Sequence, residues 1–263
     1  MSASGAVSSP VLNWSSVGSG HPLLLIQGLG YPAQMWFRLA PLLEPHFRVI
    51  TFDNRGIAHN HDLPVEGLTI ETMAADAASV IAASGETRVT VVGASLGGIV
   101  AQELALAYPG LVDSLVLLST HTADEHAVSA DADVLRSMAS RSGVAGEAGL
   151  RVSIPYAYSP STPSWLIEGD IACRARWPEA PQTYDAQLAA AAAYRGSWER
   201  LASIECATLV LHGSADALVP VENGRRIADR IPGARFAVAE GAGHNLFSER
   251  AEFVAEQVSA FLG

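Results

Sequence analysis

The 263-residue chain is predicted to fold as an α/β protein with a mostly parallel central sheet, helices on both sheet faces and an inserted helical lid. Three observations carry that expectation. Short aliphatic runs alternate with segments of helical spacing at both ends of the chain; parallel strands need such crossovers, and burial on both faces makes them continuously apolar. Residues 121–201 contain no convincing buried strand. One apolar run, 89–93, passes directly into Gly93-Ala94-Ser95-Leu96-Gly97-Gly98, a serine held between glycines where a strand turns into a helix.

The elements follow in order. Residues 11–17 suit an antiparallel edge strand or hairpin arm. Residues 23–27 are apolar, end at glycine and read as a buried strand. Residues 34–43 have helical spacing and stop before Pro45. Residues 48–52 form the next strand, closed by the turn Asp53-Asn54-Arg55-Gly56. Thr69 can cap a helix reaching Ser84, with Met73, Ala77, Val80 and Ile81 on one face. The strand 89–93 and the helix 97–108 flank the serine turn; Pro109-Gly110 ends that helix, and 115–119 is a further strand. Between 121 and 201 lie a proline-interrupted stretch (154–165) and an alanine-rich helix (185–194), alanine being the strongest helix former. The segment also holds Tyr156, Tyr158, Trp165, Trp177, Tyr184, Tyr194 and Trp198, suited equally to a pocket wall and to the lid's own core. Strands at 207–211 and 235–239 and helices near 221–230 and 251–261 complete the pattern. The expected organisation is a core of 1–120 and 202–263 with a lid at 121–201.

Composition narrows the function. Hydrophobic residues make up 49% and charged residues 16%, enough for a sizeable core and against disorder. A net charge of −11 with no basic run disfavours nucleic acid and anionic membranes, and mildly favours a neutral or apolar substrate. Cys173 and Cys206 form no C-x-x-C pair and read as free thiols. The first ten residues lack the basic and apolar regions of a signal peptide, and no apolar run approaches the roughly 20 residues of a membrane span. The expectation is a soluble, cytoplasmic protein acting on a small molecule; a homodimer stays open.

The chemistry centres on Ser95. On so sharp a turn its hydroxyl stands exposed above the sheet, and a Cβ at 93 or 97 would clash with the neighbouring strand or helix. Serine is a weak nucleophile unless a base and an orienting acid accompany it. His244, in Gly241-Ala242-Gly243-His244 after the last strand, suits the base; Asp216, in His212-Gly213-Ser214-Ala215-Asp216 after another strand, suits the acid. Asp113 and Asp124 are weaker candidates for that acid. The backbone N–H of Leu96 and that of Leu29, in Gln27-Gly28-Leu29-Gly30, are the expected oxyanion-hole donors. Gly28, Tyr31, Leu246 and Phe247 flank these loops and are candidate substrate-binding residues.

These blocks, with Phe52-Asp53-Asn54-Arg55-Gly56, resemble the signature blocks of the α/β-hydrolase superfamily from about residue 20 to the C-terminus. Within it the chain is most similar to small esterases, lactonases and perhydrolase-like members, such as enol-lactone hydrolases and polyketide methyl esterases. The resemblance implies a Ser95–Asp216–His244 triad that cleaves an ester, thioester or lactone of a small to medium hydrophobic substrate through an acyl-enzyme, without cofactor or metal. The same machinery also serves acyltransferases, perhydrolases and carbon–carbon bond hydrolases, and the fold also serves ligand-binding modules. Two departures stand out: Gln27-Gly28 replaces a frequent His-Gly, and Ala94 replaces a bulkier residue. Ser95 itself argues against haloalkane dehalogenases and epoxide hydrolases, which carry aspartate there.

Several polar residues invite blander readings. His59, His61 and Asp62 fit no regular metal spacing and read as a solvated loop. His121 and His126 follow the strand after the serine helix, near the expected cavity mouth. Arg55 is expected to tie loops together, His212 to be structural, and Trp36 to pack beneath the oxyanion loop.

Overall fold

The computed structural model describes residues 12–144, 146–177, 179–180 and 182–263; Val11 and the N-terminal segment read for a signal peptide lie outside them. Seven strands form one sheet: β1 (Trp14–Val17), β2 (His21–Ile26), β3 (Phe47–Phe52), β4 (Val89–Ala94), β5 (Val112–Leu118), β6 (Ala207–Gly213) and β7 (Arg235–Ala239). Their order is β1-β3-β2-β4-β5-β6-β7. All neighbours pair in parallel except β1, which runs antiparallel to β3 at one edge. Every position of β4 is buried, as a central strand covered on both faces requires.

The two faces carry separate apolar layers. One packs the helices Ile70–Ala83, Leu96–Ala107 and Glu222–Arg230 through residues such as Met73, Val80, Ile99, Leu104 and Ile227. The other packs Met35, Trp36, Leu39, Leu43, Val254 and Val258 against Leu23, Leu25, Val92 and Leu211. Thr69 caps its helix as expected, its hydroxyl accepting from the Thr72 N–H at 3.1 Å. The segment 34–43 departs from the single helix expected: a 3₁₀ helix, Ala33–Arg38, gives way to one α-turn, Ala40–Leu43. Pro41 has no N–H to continue the first helix, so a new one starts there.

Between β5 and β6 the described residues form helices and loops, apart from a lone bridge between Ile57 and Glu179. Five α-helices lie there, Ala132–Ser140, Gly146–Val152, Ile154–Ala157, Ser164–Arg174 and Thr183–Ala193. A small satellite core of Tyr156, Ala157, Tyr158 and Leu166 holds part of them together. Among the described residues no helix is long and apolar enough to cross a membrane, and Cys173 and Cys206 are both free thiols.

Candidate active site

The serine turn is held by backbone contacts that leave no room for side chains. Ser95 sits at φ 53°, ψ −119°, a region that non-glycine residues occupy only when their surroundings impose it. Its N–H donates to the Leu118 carbonyl at 2.9 Å, and its carbonyl accepts from the Thr120 hydroxyl at 2.7 Å. A Cβ on Gly97 would stand 2.2 Å from the Ile26 carbonyl oxygen, and one on Gly93 would stand 2.3 Å from that of Gly97. Those gaps let the helix Leu96–Ala107 start against the sheet and aim the Ser95 hydroxyl outward.

Three side chains from three loops converge there. His244 Nε2 lies 2.9 Å from Ser95 Oγ, and His244 Nδ1 lies 2.9 Å from Asp216 Oδ2. The other Asp216 oxygen accepts the Leu218 and Val219 N–H groups at 3.0 and 2.8 Å. Burial pushes the Asp216 carboxyl up, but the charge of His244 and hydrogen bonds from His212 and His244 outweigh it and hold it down at about 2. Asp216 is therefore an acceptor at neutral pH. His244 Nδ1 must carry the hydrogen, leaving the Nε2 lone pair for the serine proton.

Gly28 brings the first loop close. Its missing Cβ would lie 3.7 Å from Ser95 Oγ. The Gly28 N–H is taken by the Gln27 side chain at 3.2 Å and that of Gly30 by Gln187 at 2.9 Å. Among the described residues, the N–H groups of Leu29 and Leu96 have no protein acceptor.

The turn opens into a cavity of about 580 Å³. Ser95, His244, Gly28, Leu29, Leu96, Tyr31 and Phe247 all line it. Leu246 does not: it is fully buried in the sheet-side layer with Val254. Adjacent residues of a helical turn point about 100° apart, so when Phe247 faces the cavity Leu246 faces the core. Tyr31 packs edge-on to Phe247 and exchanges hydrogen bonds with Asn245 beside His244. Trp36 lies against the far side of Phe247, 1% exposed.

The insertion's aromatic residues divide. Tyr156, Tyr184 and Tyr194 line the cavity, while Tyr158 is buried against Asp170 and Trp165 is 67% exposed. His121 lines it too; its Nδ1 accepts from the Ala123 N–H at 3.0 Å, which places its hydrogen on Nε2. Burial, then the charge of His244, push His121 down to about 4.

The remaining polar residues hold the frame. Asp113 sits near Arg88 and His21 at the start of β5, and the Asp124 carboxylate accepts from Thr122, His126 and Trp198. His212 is fully buried, with Nε2 bonded to the Val219 carbonyl at 2.8 Å. Arg55 grips Asp76 through two nitrogens, the second bond 2.7 Å long. His59 bonds Asp53, which also accepts the Ala33 N–H. Among the described residues no group of three His, Cys, Asp or Glu is arranged to hold a metal.

Sequence reasoning passed over Gln187, Glu249 and Arg141. Gln187 had a signal, a lone amide just before an alanine run. The Glu249 carboxylate accepts the Gly243 and Ser159 N–H groups, each at 3.1 Å, and so ties the His244 loop to the insertion.

Known proteins with this architecture are similar along nearly the whole chain. BpoC of Mycobacterium tuberculosis, whose name proposes a non-heme bromoperoxidase, is 31% identical over 265 aligned positions, 92% of this chain and 94% of that protein. Its crystal structure superposes with a TM-score of 0.80 over 95% of each chain. RutD of Azorhizobium caulinodans, whose name proposes carbamate hydrolysis, is 30% identical over 94% of this chain and 92% of its own. A thermophilic esterase from Thermogutta terrifontis superposes with a TM-score of 0.82 at 28% identity, covering 95% of this chain and 92% of the other. The family model for the alpha/beta hydrolase fold matches residues 21–251, and on that match the chain belongs to the alpha/beta hydrolase family.

Proposed function

We propose that the protein is a serine hydrolase that cleaves an ester, thioester or lactone with a small to medium hydrophobic acyl group. The observation that carries this reading is the unbroken contact from Ser95 through His244 to Asp216 at the base of a mostly apolar cavity. Ser95 Oγ attacks the carbonyl carbon as His244 Nε2 takes its proton. Asp216 keeps the imidazole in the useful tautomer and stabilises the imidazolium. The N–H groups of Leu29 and Leu96 receive the developing oxyanion; one such donor is worth on the order of 3 kcal/mol. His244 then protonates the leaving alkoxide or thiolate, and a water that gives its proton to His244 attacks the acyl-enzyme and releases the acid.

A fluorophosphonate probe and p-nitrophenyl esters of rising chain length test the reading, with Ser95→Ala as control. Labelling and turnover that vanish together in the variant are expected, and the optimum chain length sizes the cavity. An unlabelled wild type rejects the nucleophile. The name of BpoC motivates a second reading. Hydrogen peroxide in place of water would release a peracid and restore the serine hydroxyl, with no change in the protein's own groups. Peracid formation measured against acid release separates the two.

A further inference from the structure

The cavity contains a cation that the reaction above does not use. Arg141 lies just after the helix Ala132–Ser140, is 6% exposed and lines the cavity. Its guanidinium sits over the Tyr184 ring, 4.1 Å from the centroid. Among the described residues its side chain makes one hydrogen bond, to Glu179 at 3.4 Å. That contact is long and single, where a well-matched guanidinium and carboxylate form two short parallel bonds.

Arg174 stands next to it, equally buried. It lies over the Tyr31 ring at 3.7 Å and donates to the Gly30 carbonyl at 3.0 Å, while its Nε has no partner among the described residues. Among the described residues Glu179 pairs with Arg141 alone and feels Arg174 only as a nearby charge, so these three side chains carry a net charge of +1 where little water reaches. The acids that line the cavity do not balance it. Asp124 is committed to Thr122, His126 and Trp198, and Glu125 is exposed. Burial, then the charge of Arg174, push the Arg141 guanidinium down, as an under-compensated cation should show. Leaving a buried charge without a counter-charge is costly.

We propose that the otherwise hydrophobic acyl chain of the substrate ends in a carboxylate that docks on Arg141, so that Arg141 selects acyl groups carrying one negative charge. This rests on the serine-hydrolase reading of the same cavity. One carboxylate balances +1, whereas a phosphate dianion would overshoot it. The anchor and the reacting serine flank the same loop. A Cβ on Gly30 would stand 3.1 Å from Arg141 Nη2, and one on Gly28 would stand 3.7 Å from Ser95 Oγ. Two residues of chain separate those points, at most about 7 Å between Cα atoms. One acyl chain can therefore span both, its ester at Ser95 and its carboxylate at Arg141. The net charge of −11 opposes an approaching anion only weakly, because salt screens exposed charges beyond about 8 Å.

The test uses matched pairs on the whole protein. Mono-p-nitrophenyl esters of succinic, glutaric, adipic and pimelic acids are compared with p-nitrophenyl esters of alkanoic acids of equal length. The expected result is a preference of tenfold or more in kcat/KM for the acidic ester at one chain length, carried mainly by KM. The ratio falls towards one in Arg141→Gln and is partly kept in Arg141→Lys. Equal or better turnover of the neutral esters by wild type overturns the proposal, as does a preference that survives in Arg141→Gln. Where those variants do not fold, the wild-type ratio decides. Where no ester is turned over, calorimetry with free glutarate and adipate decides: Arg141-dependent binding supports the anion site while the hydrolase reading fails, and no binding overturns the site.

Discussion

Strand β4 is buried at every position and carries no charge, whereas the segment between β5 and β6 buries Arg141, Asp170, Arg174 and Gln187 and leaves Trp165 mostly exposed. The sheet is held by its ladder and by close aliphatic packing on two faces. The insertion is held to it partly by apolar residues such as Ala190 and Tyr194 and largely by directed polar contacts, among them Asp170 to Arg38 and Ser248, Glu249 to Ser159, and Gln187 to Gly30. A frame of the first kind fixes atoms to within tenths of an ångström, as the serine turn requires. A cover of the second kind can change its lining without moving the frame. Under the proposed function, bond-breaking would fall to the sheet loops and selection to the insertion.

The comparison breaks first at the frame's chemical groups. Ser95→Ala is expected to lower kcat/KM by roughly 10⁶-fold while leaving the urea midpoint unchanged; substantial residual turnover would remove the acyl-enzyme from the account. Asp216→Asn is expected to cost about 10⁴-fold in kcat, since it strands His244 in the wrong tautomer. Steady-state rates on one ester check both.

Stability sharpens the contrast. Leu25→Ala, at a fully buried position of β2, is expected to cost about 2–5 kcal/mol in chemical denaturation. A smaller effect belongs to pH. The His121 imidazole, held down at about 4 from an ordinary 6.5, binds fewer protons folded than unfolded between those values. Stability therefore rises with pH across that window and is lost as pH falls through it. Because His121 lines an open cavity, the slope is expected to sum to about 1–2 kcal/mol and to flatten in His121→Asn. The contribution of Asp216 lies lower, being present above the ordinary carboxylate value of 3.8 and lost as pH falls from there through about 2. The smallest effect is expected from Leu135→Ala, 47% exposed on the insertion: within about 0.5 kcal/mol in stability, with any change appearing in ester chain-length preference. A large loss of stability there would mean that the insertion is part of the frame.

Much of the frame can be read from the chain because its signals are local. Period-2 and period-3.6 patterns, and a serine between glycines at a strand end, depend on neighbours a few residues apart. The segment 34–43 misled because spacing alone does not register that Pro41 interrupts a helix. Leu246 misled for a related reason: an apolar side chain suits a core and a cavity wall equally, and which way one residue of a short turn points depends on its packing.

The sequence by itself determined the strand–helix alternation, the strained serine turn, and the order in which Asp216 and His244 follow it, since each is written in short-range spacing or in loop position after a strand. Only the tertiary structure decided that His244 reaches Ser95 across 149 positions of chain, that Phe247 and not Leu246 faces the cavity, and that Arg141 meets Glu179 beside a second guanidinium, that of Arg174. Those outcomes depend on how loops and helices distant in the chain meet, and packing is set by complementary surfaces far apart in sequence rather than by any periodicity within one segment.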